Sequence, residues 1–252
     1  PKKMTHLGQF ESPQSPKPKR KGRRWRRFRK NIFVSFFIDL IVIAGTALIL
    51  SLLIKSFLIR TFFIPSGSML ETLQIDDRII VNKLIPDLSP IQHGDVVVFK
   101  DPGGWLGDYE APALDPITAT TDWILSAFGI TAPDSDQYLV KRVIGVGGDR
   151  VICCDADGKI TINGTAITET YLQPGKEPST VDFDVTVPEN SYWMLGDNRD
   201  NSADSRFHME LPSKGFVSKE IVDGKAFAIT WPFSNAKWLD NYPDVFKNVP
   251  KP

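Results

Sequence analysis

The chain begins with a polar segment, continues with one long apolar run, and then changes to short apolar stretches separated by turn residues. The apolar run, IFVSFFIDLIVIAGTALILSLLI, covers residues 32–54 and contains a single charged residue, Asp39. A helix of this length is about 35 Å long, which is enough to cross about 30 Å of hydrocarbon. Because the run has no polar face, the pattern predicts a membrane-spanning helix rather than a buried core helix.

A cleavable signal peptide is the other interpretation of an apolar run near the N-terminus. The run is too long for such a core, and no cluster of small residues follows it, where the sequence reads KSFLIRTFFIPSG. The small residues at 44–47 lie inside the run, which is a poor place for a cut. We therefore predict an uncleaved transmembrane helix over residues 31–56.

Short β-strands are predicted after this helix. Apolar stretches bounded by Gly, Pro, Asp and Asn lie at residues 78–82, 95–100, 138–146, 150–153, 159–162, 191–195 and 225–230. The pair Asn163-Gly164 is a hairpin signal. Because no regular helical pattern separates these strands, the sequence favours a mainly β fold over a parallel α/β sheet. Residues 103–137 are a long acidic insertion to which no chemistry is assigned.

Charge is strongly segregated along the chain. Residues 1–30 contain twelve Lys/Arg and one acidic residue, Glu11, although the whole chain has a net charge of zero. The basic cluster at 17–30 directly precedes the apolar run, so the positive-inside rule predicts a cytoplasmic N-terminus. The tail is rich in Pro, Lys and Ser, and we expect it to be disordered.

The two cysteines, Cys153 and Cys154, are adjacent, so the spacing of a structural zinc site is absent. A disulfide between neighbours closes a strained small ring, and the sequence supports free thiols at least as well. We expect neither a metal nor a cofactor.

Two segments contain groups suited to nucleophilic chemistry. Ser66-Gly67-Ser68 follows an apolar extended segment, although this pattern by itself favours serines that cap a short helix. Strand alternation places Lys141 on one face with Leu139 and Val143, where desolvation would lower the pKa of its ammonium and make it a general base. Taken alone, a lysine in a strand is more typical of a solvated edge position. Arg142 would point to the other face, toward solvent or a carboxylate.

A third polar segment, GDNRDNSADSR at 196–206, reads as a surface loop on composition alone. A Ser-His-Asp triad would need one of the three histidines, His6, His93 or His208. Only His208 with Asp204 is a plausible pair, and its surroundings in the sequence are not apolar enough to indicate a buried base. The sequence favours lysine over histidine.

Four segments, PSGSM, GDVVVF, KRVIGVGGD and GDNRDNSADSR, occur in the order and approximate spacing of the motifs of type I signal peptidases. The chain resembles that family over roughly residues 32–102, 138–165 and 190–232. The resemblance implies a single-pass serine endopeptidase of the bacterial cytoplasmic membrane that cleaves signal peptides after small residues at −1 and −3. The implied partners are signal peptides of preproteins and the lipid bilayer, and no nucleic acid.

The resemblance also implies roles for individual residues. Ser68 resembles the nucleophile and Lys141 the general base. The Ser66 hydroxyl and the Ser68 backbone N–H resemble the oxyanion hole, and Ser202 resembles the hydroxyl that orients the lysine. The supporting residues are Asp197, Asp204 and Arg206. The residues around the substrate pockets are Phe62, Ile64, Met69, Leu73, Leu139 and Val140.

The implied organisation is a cytoplasmic tail over 1–30, the helix, and an extracytoplasmic catalytic domain over 57–252 with a small cap-like region at 151–190. One departure stands out, since Glu71 occupies a position where family members commonly have proline. Two alternatives remain. A self-cleaving Ser/Lys repressor would use the basic arm to bind DNA, which the apolar run argues against, and a catalytically silent tethered β-domain would not need the serines and lysine.

Overall fold

The computed structural model describes residues 32–107 and 137–252. The predictions for the tail at 1–30 and for most of the insertion, at 108–136, lie outside the described residues. The chain divides into two compact units, with the division between Leu50 and Ser51.

A long helix, α1, covers Ile32–Phe57. Its segment Val34–Ile54 has a mean hydropathy of 2.6 and is not buried, so it is long and apolar enough to cross a membrane. The hydroxyl of Thr46 donates to the carbonyls of Val42 and Ile43, which satisfies this polar group within the helix. The predicted helix is confirmed, and it extends to Phe57.

The residues after α1 form a mainly β structure, as predicted. The strands are β1 (Ile59–Phe63), β2 (Arg78–Asn82), β3 (Val96–Lys100), β4 (Tyr138–Val146), β5 (Arg150–Cys153), β6 (Thr161–Ile162), β7 (Thr165–Ala166), β8 (Phe183–Thr186), β9 (Ser191–Leu195), β10 (Val217–Ser218), β11 (Val222–Trp231) and β12 (Lys237–Trp238). Short 3-10 helices cover Arg199–Asn201, Ser205–Phe207, Lys219–Ile221 and Phe233–Asn235, and α2 covers Pro243–Phe246.

Two antiparallel sheets contain these strands. The larger sheet has the order β1-β2-β11-β3-β4-β9-β10, with β12 paired to β11, and the smaller has the order β7-β6-β5-β8. Three buried apolar clusters pack against the sheets, one of which includes Ile160, Ile162 and Trp193 beside the smaller sheet. The smaller sheet occupies much of the predicted cap-like region, whose boundaries remain a prediction.

The strands β2, β4, β5 and β9 have the predicted bounds, whereas β3, β6 and β11 differ from their predictions at the ends. Five strands were missed: β1, β7, β8, β10 and β12. β7, β10 and β12 contain only two residues each, too few for an alternation to be visible. The structure joins Cys153 and Cys154 in a disulfide, where the sequence supported free thiols at least as well.

The central position of β4 brings the polar segments together. β4 lies between β3 and β9, with Val97 opposite Lys141 and Leu195 opposite Arg142. β9 ends at Leu195 and leads directly into the polar segment 196–206. The segment that contains Ser68 follows β1 and returns to β2.

Candidate active site

The loop that carries Ser68 is closed by backbone hydrogen bonds. Ile64 N–H donates to the Asp77 carbonyl at 2.9 Å, and Asp76 N–H donates to the Ile64 carbonyl at 2.9 Å. Inside the loop, the N–H of Leu73 donates to the carbonyl of Met69 at 2.8 Å. This turn buries both apolar side chains in the core, so the backbone of Ser68 is held on a rigid support.

Lys141 lies against Ser68. Its Nζ donates to Ser68 Oγ at 2.7 Å, and the residue is only 3% exposed. Burial lowers the pKa of Lys141 to about 8, even though the charges of Asp204 and Asp197 act to raise it. A neutral amine in contact with a hydroxyl is able to accept its proton, which is the arrangement of a nucleophile beside a general base.

An open cleft borders this pair. Its lining comes from two segments, 62–69 and 138–141, together with Leu106 from the loop after β3. Five of the six predicted pocket residues lie in this lining: Phe62, Ile64, Met69, Leu139 and Val140. The sixth, Leu73, is fully buried in the core and is absent from the lining. Ser66 is exposed and also lines the cleft.

Arg142 points away from solvent into a buried ion pair. Its Nε and Nη2 donate to the two carboxylate oxygens of Asp197 at 2.8 and 2.6 Å, and Nη2 also contacts the hydroxyl of Thr72 at 3.2 Å. Nη1 donates to the carbonyls of Gly94 and Asp240. Burial opposes the charge, but Asp197 outweighs burial and raises the pKa of Arg142. The solvent alternative for Arg142 is therefore wrong.

The polar segment 196–206 is largely buried, so its interpretation as a surface loop is wrong. Asp204 holds Arg206 through two side-chain hydrogen bonds of 2.8 Å and accepts the N–H of Gly196 at 3.0 Å. Arg199 is bound by both carboxylate oxygens of Glu169, from the smaller-sheet region. Each of these buried charges has a partner, as burial requires.

Ser202 makes no hydrogen bond to Lys141. Its hydroxyl is buried and has no hydrogen-bond partner among the residues that the structure describes. A Cβ added to Gly196 would lie 2.1 Å from Ser202 Oγ and 2.5 Å from the Ser68 carbonyl oxygen. Ser202 therefore packs beside the backbone of Gly196, close to the main chain of Ser68, and a glycine is needed there for this approach.

The two described histidines have other partners. His208 Nδ1 is 2.7 Å from the backbone oxygen of Asp204, not from its carboxylate, and its ring stacks on Trp105. His93 Nε2 is 2.6 Å from Asp149. Neither ring lines the cleft. The third histidine, His6, lies outside the described residues.

Glu71, the departure from the family pattern, has a φ of 81°. Proline cannot adopt this angle, because its ring holds φ near −65°. The backbone therefore turns here in a way that a proline at this position would exclude. The next residue, Thr72, is absent from the predicted site, although its hydroxyl donates to Asp197 at 2.5 Å. The only sequence signal for Thr72 was its position, three residues after the apolar Met69.

Comparison with known proteins gives the family. A profile described as signal peptidase, peptidase S26, matches residues 37–231. A signal peptidase I of Mycobacterium tuberculosis is 38% identical over 76% of this chain and 71% of its own length. A probable signal peptidase I of Mycobacterium leprae is 35% identical over 76% and 75%, and a probable signal peptidase I-2 of Synechocystis sp. is 33% identical over 74% and 70%.

Among solved structures, a signal peptidase I from Enterococcus faecalis V583 covers 54% of this chain and 95% of its own at 24% identity. Its TM-score of 0.34 is too low for the folds to be compared. The profile match covers most of the chain, and the curated relatives align over more than two thirds of its length. The chain therefore belongs to the signal peptidase family, peptidase S26, and is a peptidase of the signal peptidase I type.

Proposed function

We propose that this peptidase removes signal peptides from exported preproteins with Ser68 as its nucleophile and Lys141 as its general base. The observation that carries the proposal is the 2.7 Å hydrogen bond between Lys141 Nζ and Ser68 Oγ at the edge of an apolar cleft. The lowered pKa of Lys141, about 8, adds support, because a substantial fraction of the amine is then neutral near physiological pH.

In the proposed mechanism, neutral Lys141 takes the proton of Ser68 as Oγ attacks the scissile carbonyl carbon. The Ser68 backbone N–H and the Ser66 hydroxyl donate to the oxyanion that forms. The Lys141 ammonium then gives its proton to the leaving amine, which departs as the mature N-terminus. A water molecule, deprotonated by Lys141, hydrolyses the acyl-enzyme and restores Ser68.

Other residues support Ser68 and Lys141. Asp204 and Arg206 hold the polar segment, and Asp197 holds Arg142 beside Lys141. Ser202 is the candidate for orienting the Lys141 ammonium, by accepting a hydrogen bond from it once Lys141 has taken the proton from Ser68, since its buried hydroxyl has no other partner among the described residues. In the free enzyme, the lysine instead donates to Ser68.

The proposed substrate is an extended segment with small residues at −1 and −3. The cleft lies between segments 62–66 and 138–141, where an extended peptide can add as a strand. Its side-chain contacts there are mostly apolar, from Phe62, Ile64 and Leu139. Uncharged small side chains fit these surroundings without leaving a buried charge unpaired.

The proposed location is the bacterial cytoplasmic membrane, with α1 as a single-pass anchor, a cytoplasmic N-terminus and an extracytoplasmic catalytic domain. The support is the apolar segment Val34–Ile54 and the basic cluster at 17–30 that precedes it. Signal peptides present their cleavage sites at the membrane surface, where an anchored enzyme would meet them.

The test is cleavage of a preprotein bearing an Ala-x-Ala site by the full chain in detergent. Ser68→Ala should abolish cleavage, and Lys141→Ala should lower turnover at least about 10²–10⁴-fold, because each removes one member of the pair. The matched controls, Ser234→Ala and Lys247→Ala, change exposed residues and should cleave like the wild type. Substantial turnover by either dyad variant contradicts the proposal.

A further inference from the structure

A short loop after β3 supplies one wall of the cleft. We call residues 101–106 the Leu106 loop. Leu106 is the part of this loop that lines the cleft, together with residues of 62–69 and 138–141. The roles implied by the family resemblance include no residue of this loop. An apolar side chain in the cleft is in a position to contact the substrate directly.

The carboxylate of Asp101 fixes the shape of the loop. It accepts the backbone N–H groups of Gly103 at 2.9 Å, Trp105 at 3.0 Å and Leu106 at 3.2 Å. Burial acts to raise the pKa of Asp101, but these hydrogen bonds outweigh it and the pKa is lowered. Gly103 and Gly104 have φ angles of 112° and 89°, which only glycine adopts readily. The turn therefore holds the backbone of Leu106 directly.

Trp105 anchors the loop on the side away from the cleft. Its ring is 6% exposed, stacks on His208 at 4.4 Å with an interplanar angle of 7°, and meets the edge of Phe99 at 5.7 Å. The indole N–H has no hydrogen-bond partner among the described residues, so ring packing is the contact that holds it. His208 is fixed in turn by the backbone oxygen of Asp204 at 2.7 Å. Neighbouring residues thus have separate tasks: Trp105 anchors and Leu106 faces the cleft.

We propose that Leu106 is a specificity-determining residue that limits the size of the substrate side chain in the cleft, with Asp101 and His208 as its positioning residues. The inference rests on the proposed function, because it concerns which substrates that cleft accepts. A side chain larger than methyl would have to displace an isobutyl group whose backbone is held on both sides. One methylene in an apolar pocket changes selectivity by about 10–200-fold.

The test uses the full chain in detergent and preproteins that carry Ala, Val or Leu at −1 or at −3, one position at a time. The readout is the ratio of kcat/KM for the Val or Leu substrate to that for the Ala substrate. Leu106→Ala should raise this ratio at least about 10-fold at one of the two positions. Leu106→Phe should lower it. The control Leu88→Ala, at an exposed leucine elsewhere, should leave the ratio unchanged.

His208 separates positioning from general stability. His208→Ala should raise the same ratio by a smaller factor, since Trp105 loses its stacking partner, and His208→Phe should restore selectivity by supplying a ring. A purely structural defect would lower cleavage of all substrates together and leave the ratio unchanged.

The inference is overturned if the kcat/KM ratio stays at the wild-type value in both Leu106→Ala and Leu106→Phe. If Leu106→Ala does not fold, an unchanged ratio in Leu106→Phe alone overturns it. If the inference fails in this way but the wild type cleaves the Ala substrate, the proposed function is still supported. Failure of the wild type to cleave any substrate would instead count against the proposed function itself.

Discussion

Lys141 and Arg142 are neighbours on β4 and are buried to almost the same degree, at 3% and 0% exposed, yet they lie in opposite electrostatic surroundings. Arg142 is held by both carboxylate oxygens of Asp197, whereas Lys141 contacts the uncharged hydroxyl of Ser68. The pKa of Lys141 falls to about 8, and that of Arg142 rises. The contact partner therefore decides what burial does to a cation.

The two sides of β4 are also connected. The carboxylates that act to raise the pKa of Lys141 belong to Asp204 and Asp197, and each is paired with an arginine, Arg206 and Arg142. These pairings neutralise much of the negative charge near the lysine. Arg142 thus supports the base twice, by holding the fold and by compensating a nearby carboxylate.

The largest expected effect on this comparison comes from Arg142→Met. The substitution leaves the buried carboxylate of Asp197 without its partner, which should lower the free energy of unfolding by about 3–5 kcal/mol. Denaturant unfolding of the detergent-solubilised protein at pH 7 measures it. The double variant Arg142→Met/Asp197→Leu should recover part of the loss. A loss below about 1 kcal/mol in the single variant would show that the ion pair does not hold this region.

The opposite sign is expected for Lys141→Met. The pKa of Lys141 is about 8 in the folded protein against an ordinary 10.5, so folding disfavours its charged form. Below about pH 8 both states are protonated, and the cost reaches about 3 kcal/mol at 1.36 kcal/mol per pKa unit. Between about 8 and 10.5 the unfolded chain binds more protons, and the stability of the wild type rises with pH.

Lys141→Met should therefore be more stable than the wild type at pH 7 and should lose this advantage by about pH 10.5. The measurement is the unfolding free energy of both proteins at several pH values between 7 and 11. A variant less stable than the wild type at pH 7 would mean that the lysine is not desolvated, and the contrast with Arg142 would disappear.

A smaller effect is expected for Ser202→Ala. Since Ser202 makes no hydrogen bond to Lys141 in the free enzyme, the acid limb of kcat/KM against pH should keep its midpoint. If its hydroxyl orients the Lys141 ammonium after proton transfer, kcat should fall, by up to about 10²-fold. A limb displaced to higher pH would instead show that Ser202 binds the neutral amine before substrate arrives.

The sequence predicted the elements whose signal is local. The alternation in β4 placed Lys141 with apolar neighbours, and the long apolar run predicted α1. The sequence could not identify the partner of Arg142, because Asp197 is 55 residues away in the chain. Only the pairing of β4 with β9 brings the two residues together. Burial of a charged side chain depends on such tertiary contacts rather than on its own segment.

Two cleft residues show the same limit. Leu73 was predicted to line the pocket, but the turn that begins at Met69 places it in the core. Leu106 was not predicted, because it lies near the start of the insertion at 103–137, to which no chemistry was assigned. Its local signal was Trp105-Leu106, two apolar residues directly after a Gly-Gly turn. This signal indicates that the two side chains make packing contacts, but the sequence does not identify the residues that they contact.

The central claim, that a desolvated Lys141 is the general base of Ser68, is tested most directly by the pH dependence of cleavage. The measurement is kcat/KM for one Ala-x-Ala substrate from pH 6 to 11 at constant ionic strength, with the wild-type chain. Activity should rise along an acid limb with a midpoint of about 8, the pKa of the buried amine. A limb with its midpoint near 10.5, the ordinary value for lysine, would contradict the claim.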